Sequence, residues 1–190
     1  MPLDKYAWSE RYGWVQDKFG MTWQLMLARG EDKQKNIVPS LMFTNKNFGR
    51  AEEAIQFYCK TFPNSENVAI VPFPQGDANA GKIMFSEFKI DDNLFIAMDG
   101  PGEHTFNFNE ALSFVVNCKT QKEIDFYWDT LISDGGAESR CGWLKDKFGV
   151  SWQIIPEILG SLMSNPEKGG RVMQEILKMN KINIEILEKA

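Results

Sequence analysis

The sequence lacks the features that mark several classes of protein. Its net charge of −5 provides no basic surface of the kind that nucleic-acid-binding or anionic-membrane-binding proteins use. No apolar run approaches the roughly 20 residues that a membrane-spanning helix needs. The first residues also lack the apolar region of a signal peptide. We therefore expect neither a nucleic-acid partner nor a membrane partner.

Cysteine and histidine are also scarce. Cys59, Cys118 and Cys141 are odd in number and form no Cys-x-x-Cys pair, which predicts reduced thiols and a cytoplasmic location. The single histidine is His104. Aromatic residues, in contrast, make up 13% of the chain, which is enough to line a cavity, although core filling is their commoner use.

The sequence does contain an internal repeat. Residues 12–26 read Tyr-Gly-Trp-Val-Gln-Asp-Lys-Phe-Gly-Met-Thr-Trp-Gln-Leu-Met, and residues 141–155 read Cys-Gly-Trp-Leu-Lys-Asp-Lys-Phe-Gly-Val-Ser-Trp-Gln-Ile-Ile. Each copy predicts two strands around an Asp-Lys-Phe-Gly turn, in which the aspartate bonds the turn backbone and, in the second copy, Phe148 fills the core. A lone hairpin is marginally stable and cannot hold a complete active site, so the recurrence favours a structural role.

Composition and periodicity divide the chain into three parts. Residues 29–36 contain no apolar side chain and are interpreted as a linker between the hairpin at 1–28 and a main domain at 37–190. The main domain shows strands at 37–44, 68–73, 82–90 and 94–98, with an amphipathic helix between 49 and 62 after the first strand. A β-α-β-β-β order is the result.

The same order then begins again. A strand at 112–118 precedes a helix whose start carries a capping box, Thr120 with Glu123. Strands at 140–145 and 151–155 follow. From residue 156 onward we expect helices, one of them at 156–162 and one capped by Asn165 with its buried face formed by several apolar side chains: Val172, Met173, Ile176, Leu177 and Met179.

Two successive β-α-β-β-β units resemble the vicinal oxygen chelate superfamily of glyoxalases, dioxygenases and bleomycin-resistance proteins. Local stretches are similar to its PhnB-like branch, whose members are often labelled 3-demethylubiquinone-9 3-methyltransferase. They are Phe108-Asn-Glu-Ala-Leu-Ser-Phe114, Thr120-Gln-x-Glu-Ile-Asp-Phe-Tyr-Trp128, Asp134-Gly-Gly136 and the repeat at 141–155. The resemblance covers residues 36–190 and implies an α+β fold of paired βαβββ modules with C-terminal helices, enclosing a cup. Residues 1–28 resemble the closing strands of a preceding copy of the domain.

The resemblance also assigns the positions at which relatives hold a divalent metal. They correspond here to Ser40 or its neighbours Leu41 and Met42, to Met98 with Asp99 beside it, to Ser113 or Leu112, and to Gln153. A transition-metal site needs three or four good ligands, and only Gln153 and Asp99 could serve. We therefore expect no metal and no other cofactor. The candidate ligand-binding residues are Gln153, Met98, Ser40, Ser113, Asp99 and His104, and no catalytic residue is assigned.

Several alternatives stay open on the sequence. Gln153 could orient a polar ligand or satisfy backbone groups of a neighbouring strand. Glu87 and Asp99 could form an inward carboxylate pair, whereas Cys141, on a strand, is more simply a buried inert thiol. The methyltransferase label has little support, because Asp99-Gly-Pro-Gly102 leads into a loop instead of a helix and the strand order is wrong for a doubly wound sheet.

Three functions compete on this basis. The first is metal-free binding of a small molecule in the cup. The second is an isomerase or lyase, metal-dependent or metal-free. The third is an interaction role for the hairpin. A homodimer is expected, with strand exchange as one variant because the polar linker allows the hairpin to reach a partner.

Overall fold

The computed structural model describes residues 1–6, 9–27 and 37–190. They form two compact units, Met1–Ile37 and Val38–Ala190. The linker predicted at 29–36 lies outside the described residues.

The first unit is a three-stranded antiparallel sheet. Its strands are β1 (Asp4–Tyr6), β2 (Ser9–Gln16) and β3 (Thr22–Met26), in that spatial order. The predicted hairpin is confirmed as β2 and β3. Strand β1 was not expected from its polar sequence, and it forms because its backbone pairs with β2, with Asp4 opposite Tyr12.

The second unit begins with a βαβββ module. Its elements are β4 (Ser40–Phe43), α1 (Ala51–Thr61), β5 (Glu66–Pro72), β6 (Ile83–Ile90) and β7 (Asn93–Asp99). The sheet order is β4-β7-β6-β5, with β4 and β7 parallel and the other pairs antiparallel.

A second module repeats this plan. It consists of β8 (Ser113–Cys118), α2 (Gln121–Ile132), β9 (Ala137–Glu138), β10 (Trp143–Lys145) and β11 (Ser151–Pro156), in the order β8-β11-β10-β9. The structure is therefore the expected α+β fold of paired βαβββ modules. The predicted capping box of α2 is confirmed, since both of its reciprocal hydrogen bonds are formed.

The strand predicted at 140–145 begins three residues late. Cys141 and Gly142 have φ angles of 60° and 82°, so the backbone turns there instead of extending. A side chain at Gly142 would lie 2.8 Å from the carbonyl oxygen of Ile154, and this close approach requires glycine. The prediction that Cys141 lies on a strand is therefore wrong.

One hydrophobic core serves both modules. Helix α1 covers its own sheet and also reaches the second one, where the Tyr58 ring lies 5.5 Å from that of Trp152. Phe62, just after α1, stacks at 5.2 Å on both Trp152 and Tyr127 of α2. Trp128 of α2 is fully buried in the same cluster. The two sheets therefore turn their covered faces toward a common interior.

Three short helices follow the modules: α3 (Leu159–Ser164), α4 (Gly169–Ile176) and α5 (Ile184–Lys189). The helix expected after Asn165 begins at Gly169. Asn165 Oδ1 instead accepts hydrogen bonds from the backbone of Glu167 at 2.9 Å and Lys168 at 3.2 Å, which closes a separate turn.

The expected buried face of α4 is confirmed only in part. Val172 and Ile176 are buried and pack with Ile182 and with Leu187 of α5, and Met179 packs against this cluster. Met173 and Leu177, in contrast, are exposed. No helix within the described ranges is long and apolar enough to cross a membrane.

The carboxylate of Asp146 joins the two modules. Its Oδ1 accepts hydrogen bonds from the backbone of Phe148 at 2.9 Å and Val150 at 3.0 Å. Its Oδ2 accepts from Trp152 Nε1 at 2.9 Å and from the Tyr58 hydroxyl of α1 at 2.7 Å. Burial raises the pKa of Asp146, against the opposing effect of all four hydrogen bonds. The predicted turn role of Asp146 is thus confirmed and extends to holding α1.

We predict that Asp146→Ala destabilises the second unit by about 3 kcal/mol, because four donors in a closed core lose their acceptor. Chemical denaturation followed by tryptophan fluorescence measures this change. The matched control is Asp17→Ala, which removes the corresponding exposed carboxylate of the hairpin and should leave that transition unchanged. Equal effects of the two substitutions would contradict the prediction.

Candidate functional site

The first sheet has one covered face and one open face. Leu41, Phe88 and Ala97 point into the core, so the alternate residues of each strand point away from it. Cross-strand pairing places them side by side, with Ser40 opposite Ile96 and Glu87 opposite the same Ile96. This surface, the first open face, comprises Ser40, Met42, Phe85, Glu87, Ile96 and Met98.

The second sheet is arranged in the same way. Leu144, Trp152 and Ile154 are buried, and their neighbours along the strands point outward. Trp143 of β10 lies opposite Gln153 of β11, which in turn lies opposite Val115 of β8. This surface, the second open face, comprises Ser113, Val115, Asn117, Trp143, Lys145, Gln153 and Ile155.

Gln153 and Ser113 form the polar centre of the second open face. Gln153 Nε2 donates a hydrogen bond to Ser113 Oγ at 2.8 Å, and both side chains are half-buried. The amide therefore bonds a side chain of the neighbouring strand, not its backbone. Among the described residues, none donates a hydrogen bond to the Gln153 carbonyl oxygen, which leaves this oxygen as an acceptor on the open face.

Ser40 and Met98 lie together on the first open face, on the adjacent parallel strands β4 and β7. Ser40 is exposed at the start of β4, whereas Met98 is buried. Four of the six candidate residues are therefore divided between two surfaces: Ser40 and Met98 on one, Ser113 and Gln153 on the other.

Asp99 points to the opposite side of the first sheet. It is buried and accepts hydrogen bonds from the backbone of Gly49 at 2.8 Å, Ala51 at 3.2 Å and Ile83 at 2.9 Å. Its charge therefore stabilises the N-terminus of α1. Because Glu87 lies on the open face, the suggested Glu87–Asp99 carboxylate pair does not form.

His104 lies in the loop between the modules. Its Nε2 is 3.1 Å from the carbonyl oxygen of Pro101, and its ring is 5.1 Å from that of Phe106. A Cβ added at Gly100 would lie 3.2 Å from His104 Nε2 and closer still to Met42 Cε, so the imidazole lies beside Met42 at the edge of the first open face.

The residues at the metal positions implied by the family resemblance do not fit a transition metal. They offer a hydroxyl at Ser40, a buried thioether at Met98, and a hydroxyl and an amide that bond each other at Ser113 and Gln153. Zinc, iron and manganese are held in proteins by imidazole, thiolate and carboxylate groups. Within the part of the chain that the structure describes, no three histidine, cysteine, aspartate or glutamate side chains are grouped as metal ligands.

A cavity of about 210 Å³ lies at the edge of the second open face. Trp143, Lys145 and Ser151 form part of its wall, together with the β9 strand and Glu110, whose carboxylate is ion-paired with Lys145. The sequence analysis did not identify Trp143 or Lys145 as site residues. Strand alternation around Leu144 would have placed both beside Gln153.

The thiols occupy different environments. Cys118 is buried at the end of β8, and burial, reinforced by the carboxylates of Glu123 and Glu157, raises its pKa to about 12. Cys141 is half-buried in its turn and packs against the C-terminal helices. Neither thiol lies on an open face.

Comparison with known families places this architecture among relatives. The family described as 3-demethylubiquinone-9 3-methyltransferase matches residues 35–155. No curated protein matches the chain.

Solved structures that are similar to this chain include the following three. A PhnB protein from Bacillus cereus is 34% identical, with a TM-score of 0.59 over 64% of this chain and 99% of its own. A Pseudomonas aeruginosa protein is 22% identical, with a TM-score of 0.54 over 65% of this chain and 98% of its own. A glyoxalase/bleomycin resistance protein from Albidiferax ferrireducens is 10% identical, with a TM-score of 0.40 over 63% of this chain and 97% of its own.

We predict that Cys118 resists alkylation in the folded protein. At pH 8 its thiol is almost wholly protonated and lies inside the core, so iodoacetamide should modify it at least tenfold more slowly than after denaturation. Peptide mass spectrometry over time measures the rate, and Cys141, half-buried in its turn, provides the comparison. Rapid modification of Cys118 in the folded state would contradict the assigned environment.

Proposed function

Because the chain belongs to the family described as 3-demethylubiquinone-9 3-methyltransferase, the PhnB-like branch of the vicinal oxygen chelate superfamily, we propose that it binds a small molecule without a metal, in a cup formed by its open faces. The proposal rests chiefly on one observation. Each sheet carries a face of mixed apolar and polar side chains on the side away from the core that the two sheets share.

The arrangement favours closure of the cup by a second copy. Since the covered faces of both sheets point toward one core, the first and second open faces of a single chain both point outward. A two-fold axis would place the first open face of each copy against the second open face of the other. Two equivalent cups would result, each incomplete without the partner copy.

Exposed apolar side chains support this dimer. Val115 on β8 is exposed, and Phe85, Ile96 and Ile155 are half-buried. Burying such residues against a partner is favourable by about 25 cal/mol for each Å² of apolar surface removed from water. A homodimer is therefore our proposal, and strand exchange is not required for it.

The composition of the cup suggests the chemistry of its ligand. The Trp143 ring and the thioethers of Met42 and Met98 favour a flat or flexible apolar body. The Gln153 carbonyl oxygen supplies one acceptor beside Ser113. We therefore propose an uncharged, largely apolar or aromatic ligand with a hydrogen-bond donor such as a hydroxyl or amine.

The methyl-transfer label of the family has no counterpart in this geometry. The stretch from Asp99 to Gly102 leaves β7 and enters a loop, and α2 begins only at Gln121. The sheet orders β4-β7-β6-β5 and β8-β11-β10-β9 are not those of a doubly wound nucleotide-binding sheet.

Isomerase or lyase activity remains an alternative, and turnover of a bound compound would reveal it. We also propose that the protein acts in the cytoplasm, where its three free thiols would stay reduced.

We predict that the protein is a dimer in solution and that Val115→Glu converts it to a monomer. The substitution places a charge in the proposed interface and should weaken association at least tenfold. Light scattering coupled to size-exclusion chromatography measures the mass. Phe126→Glu is the matched control, because Phe126 is 51% exposed on α2 and Val115 is 48% exposed. A monomeric parent protein would overturn the dimer, and so would dissociation by the control alone.

We predict that an apolar aromatic compound with a hydroxyl or amine stabilises the dimer in a thermal-shift screen. Trp143→Ala should abolish most of that shift, and Gln153→Ala should weaken binding about tenfold by removing the acceptor.

Trp14→Ala provides the control for this screen. Trp14 is the counterpart of Trp143 in the first copy of the repeat, so its removal tests a general effect of losing a tryptophan. It should leave the ligand-induced shift unchanged. The proposal fails if no compound across the screen stabilises the protein, or if a stabilising compound acts equally on Trp143→Ala.

A further inference from the structure

The turn network around Asp146 occurs a second time in the hairpin. Asp17 Oδ1 accepts hydrogen bonds from the backbone of Phe19 at 2.9 Å and Met21 at 3.0 Å, and its Oδ2 accepts from Trp23 Nε1 at 3.0 Å. Each bond has its equivalent 129 residues later, where 17 becomes 146. The two copies of the repeat therefore share a structure as well as a sequence.

The surroundings of the two copies differ. Phe19, Trp23 and Leu25 are 83%, 40% and 46% exposed, and Val15 and Met21 are also exposed. The counterparts of the first three, which are Phe148, Trp152 and Ile154, are 1%, 3% and 0% exposed. We name this surface, Val15, Asp17, Phe19, Met21, Trp23 and Leu25, the hairpin face. The hairpin face therefore has the same kinds of residue as a buried surface of the second unit, but its apolar side chains are exposed.

Helix α1 and its N-cap cover the second copy through specific contacts. The Tyr58 hydroxyl bonds Asp146 Oδ2 at 2.7 Å. The Arg50 guanidinium lies 4.5 Å from the centre of the Phe148 ring, and Glu53 forms an ion pair of 3.0 Å with Lys147. A helix with a hydroxyl, a guanidinium and a carboxylate therefore matches this turn in shape and charge.

The hairpin has the turn residues that make these contacts in the second copy, but the described part of its unit contains no helix bound to them. Asp17 Oδ2 accepts from Trp23, whereas Asp146 Oδ2 accepts from both Trp152 and Tyr58. Lys18, the counterpart of Lys147, lies 4.9 Å from the centre of the Phe19 ring. Over residues 1–6, 9–27 and 37–190, no carboxylate forms an ion pair with it. The Asp17 carboxylate can therefore accept a hydrogen bond from a hydroxyl of a partner. The Lys18 ammonium group can form an ion pair with a carboxylate of the same partner.

We propose that the hairpin face is a docking site for an α1-type helix on a βαβββ module of a separate polypeptide. The docked helix would bring a tyrosine hydroxyl to Asp17, a carboxylate to Lys18 and an arginine to the Phe19 ring. A second copy of this chain is a poor occupant. Its own α1 is already covered, since Tyr58 is fully buried against its own turn.

A polypeptide of residues 37–140 of this chain is a suitable probe. It carries α1 with Arg50, Glu53 and Tyr58 but lacks the turn that covers them. The full-length chain, refolded together with this probe, should form a one-to-one complex measurable by light scattering. Phe19→Ala combined with Trp23→Ala in the full chain should weaken binding at least tenfold. Trp14→Ala, on the other side of the hairpin, should not change it.

Two further variants separate docking from general adhesion. Tyr58→Phe in the probe removes only the hydroxyl and should weaken the complex about tenfold. A chain in which residues 12–26 replace residues 141–155 should unfold cooperatively, because the hairpin face carries the contacts that α1 needs.

Three results would overturn the proposal. They are the absence of a complex, a complex that survives loss of Phe19 and Trp23, and a replaced chain without a cooperative transition. Self-association of the full chain that depends on Phe19 and Trp23, without binding of the probe, would identify a second copy as the occupant and would also overturn it.

Discussion

The buried hydrogen bond between the Tyr58 hydroxyl and the Asp146 carboxylate joins the two halves of the domain. The carboxylate belongs to a turn of the second module, and the hydroxyl belongs to the helix of the first. An ionisable group in such a place is unfavourable unless its partners are complete. Tyr58, Trp152 and two backbone amides complete them. These hydrogen bonds fix the conformation of the turn, and the bond from Tyr58 also fixes the position of α1 over both sheets.

This shared helix determines which side of each sheet stays open. Since α1 and α2 cover the inner side of the sheets, only the outer sides are left uncovered by the helices of the modules. Polar groups on the inner side have structural roles. Asp99, for example, accepts hydrogen bonds from the backbone at the start of α1. Polar groups on the outer side bond one another instead of the backbone of a helix, as the Gln153–Ser113 pair shows. The division explains why a carboxylate at the end of a strand is structural here although its position in the sequence suggested a ligand.

Much of this architecture follows from local patterns in the sequence. Alternation and capping signals were sufficient for both helices of the modules and for most strands, and the repeat indicated the Asp146 turn. The misses have physical reasons. A positive φ at Cys141 is set by the close approach of Gly142 to β11, which no local pattern reveals. The direction of Asp99 depends on which backbone amides of α1 and β6 need an acceptor, and this is a tertiary property. Strand β1 exists through its pairing alone.

The candidate site was harder to predict than the fold. Family positions led to Gln153, Ser113, Ser40 and Met98, and strand alternation explains why these four share two surfaces. Trp143 and Lys145 were missed because the family positions include no residue of β10, although alternation around Leu144 places both side chains on the side of Gln153.

The repeated turn also shows how burial changes the pKa of a carboxyl group, because the same turn occurs once exposed and once buried. Asp17 and Asp146 accept the same three hydrogen bonds from equivalent donors, one in water and the other in a core. The Trp23 hydrogen bond, followed by the backbone bonds, lowers the pKa of Asp17, whereas burial raises that of Asp146. Fewer protons bind to the folded than to the unfolded chain at the first carboxyl, and more at the second. The two copies therefore oppose each other in their effect on acid stability, with hydrogen bonding almost constant between them.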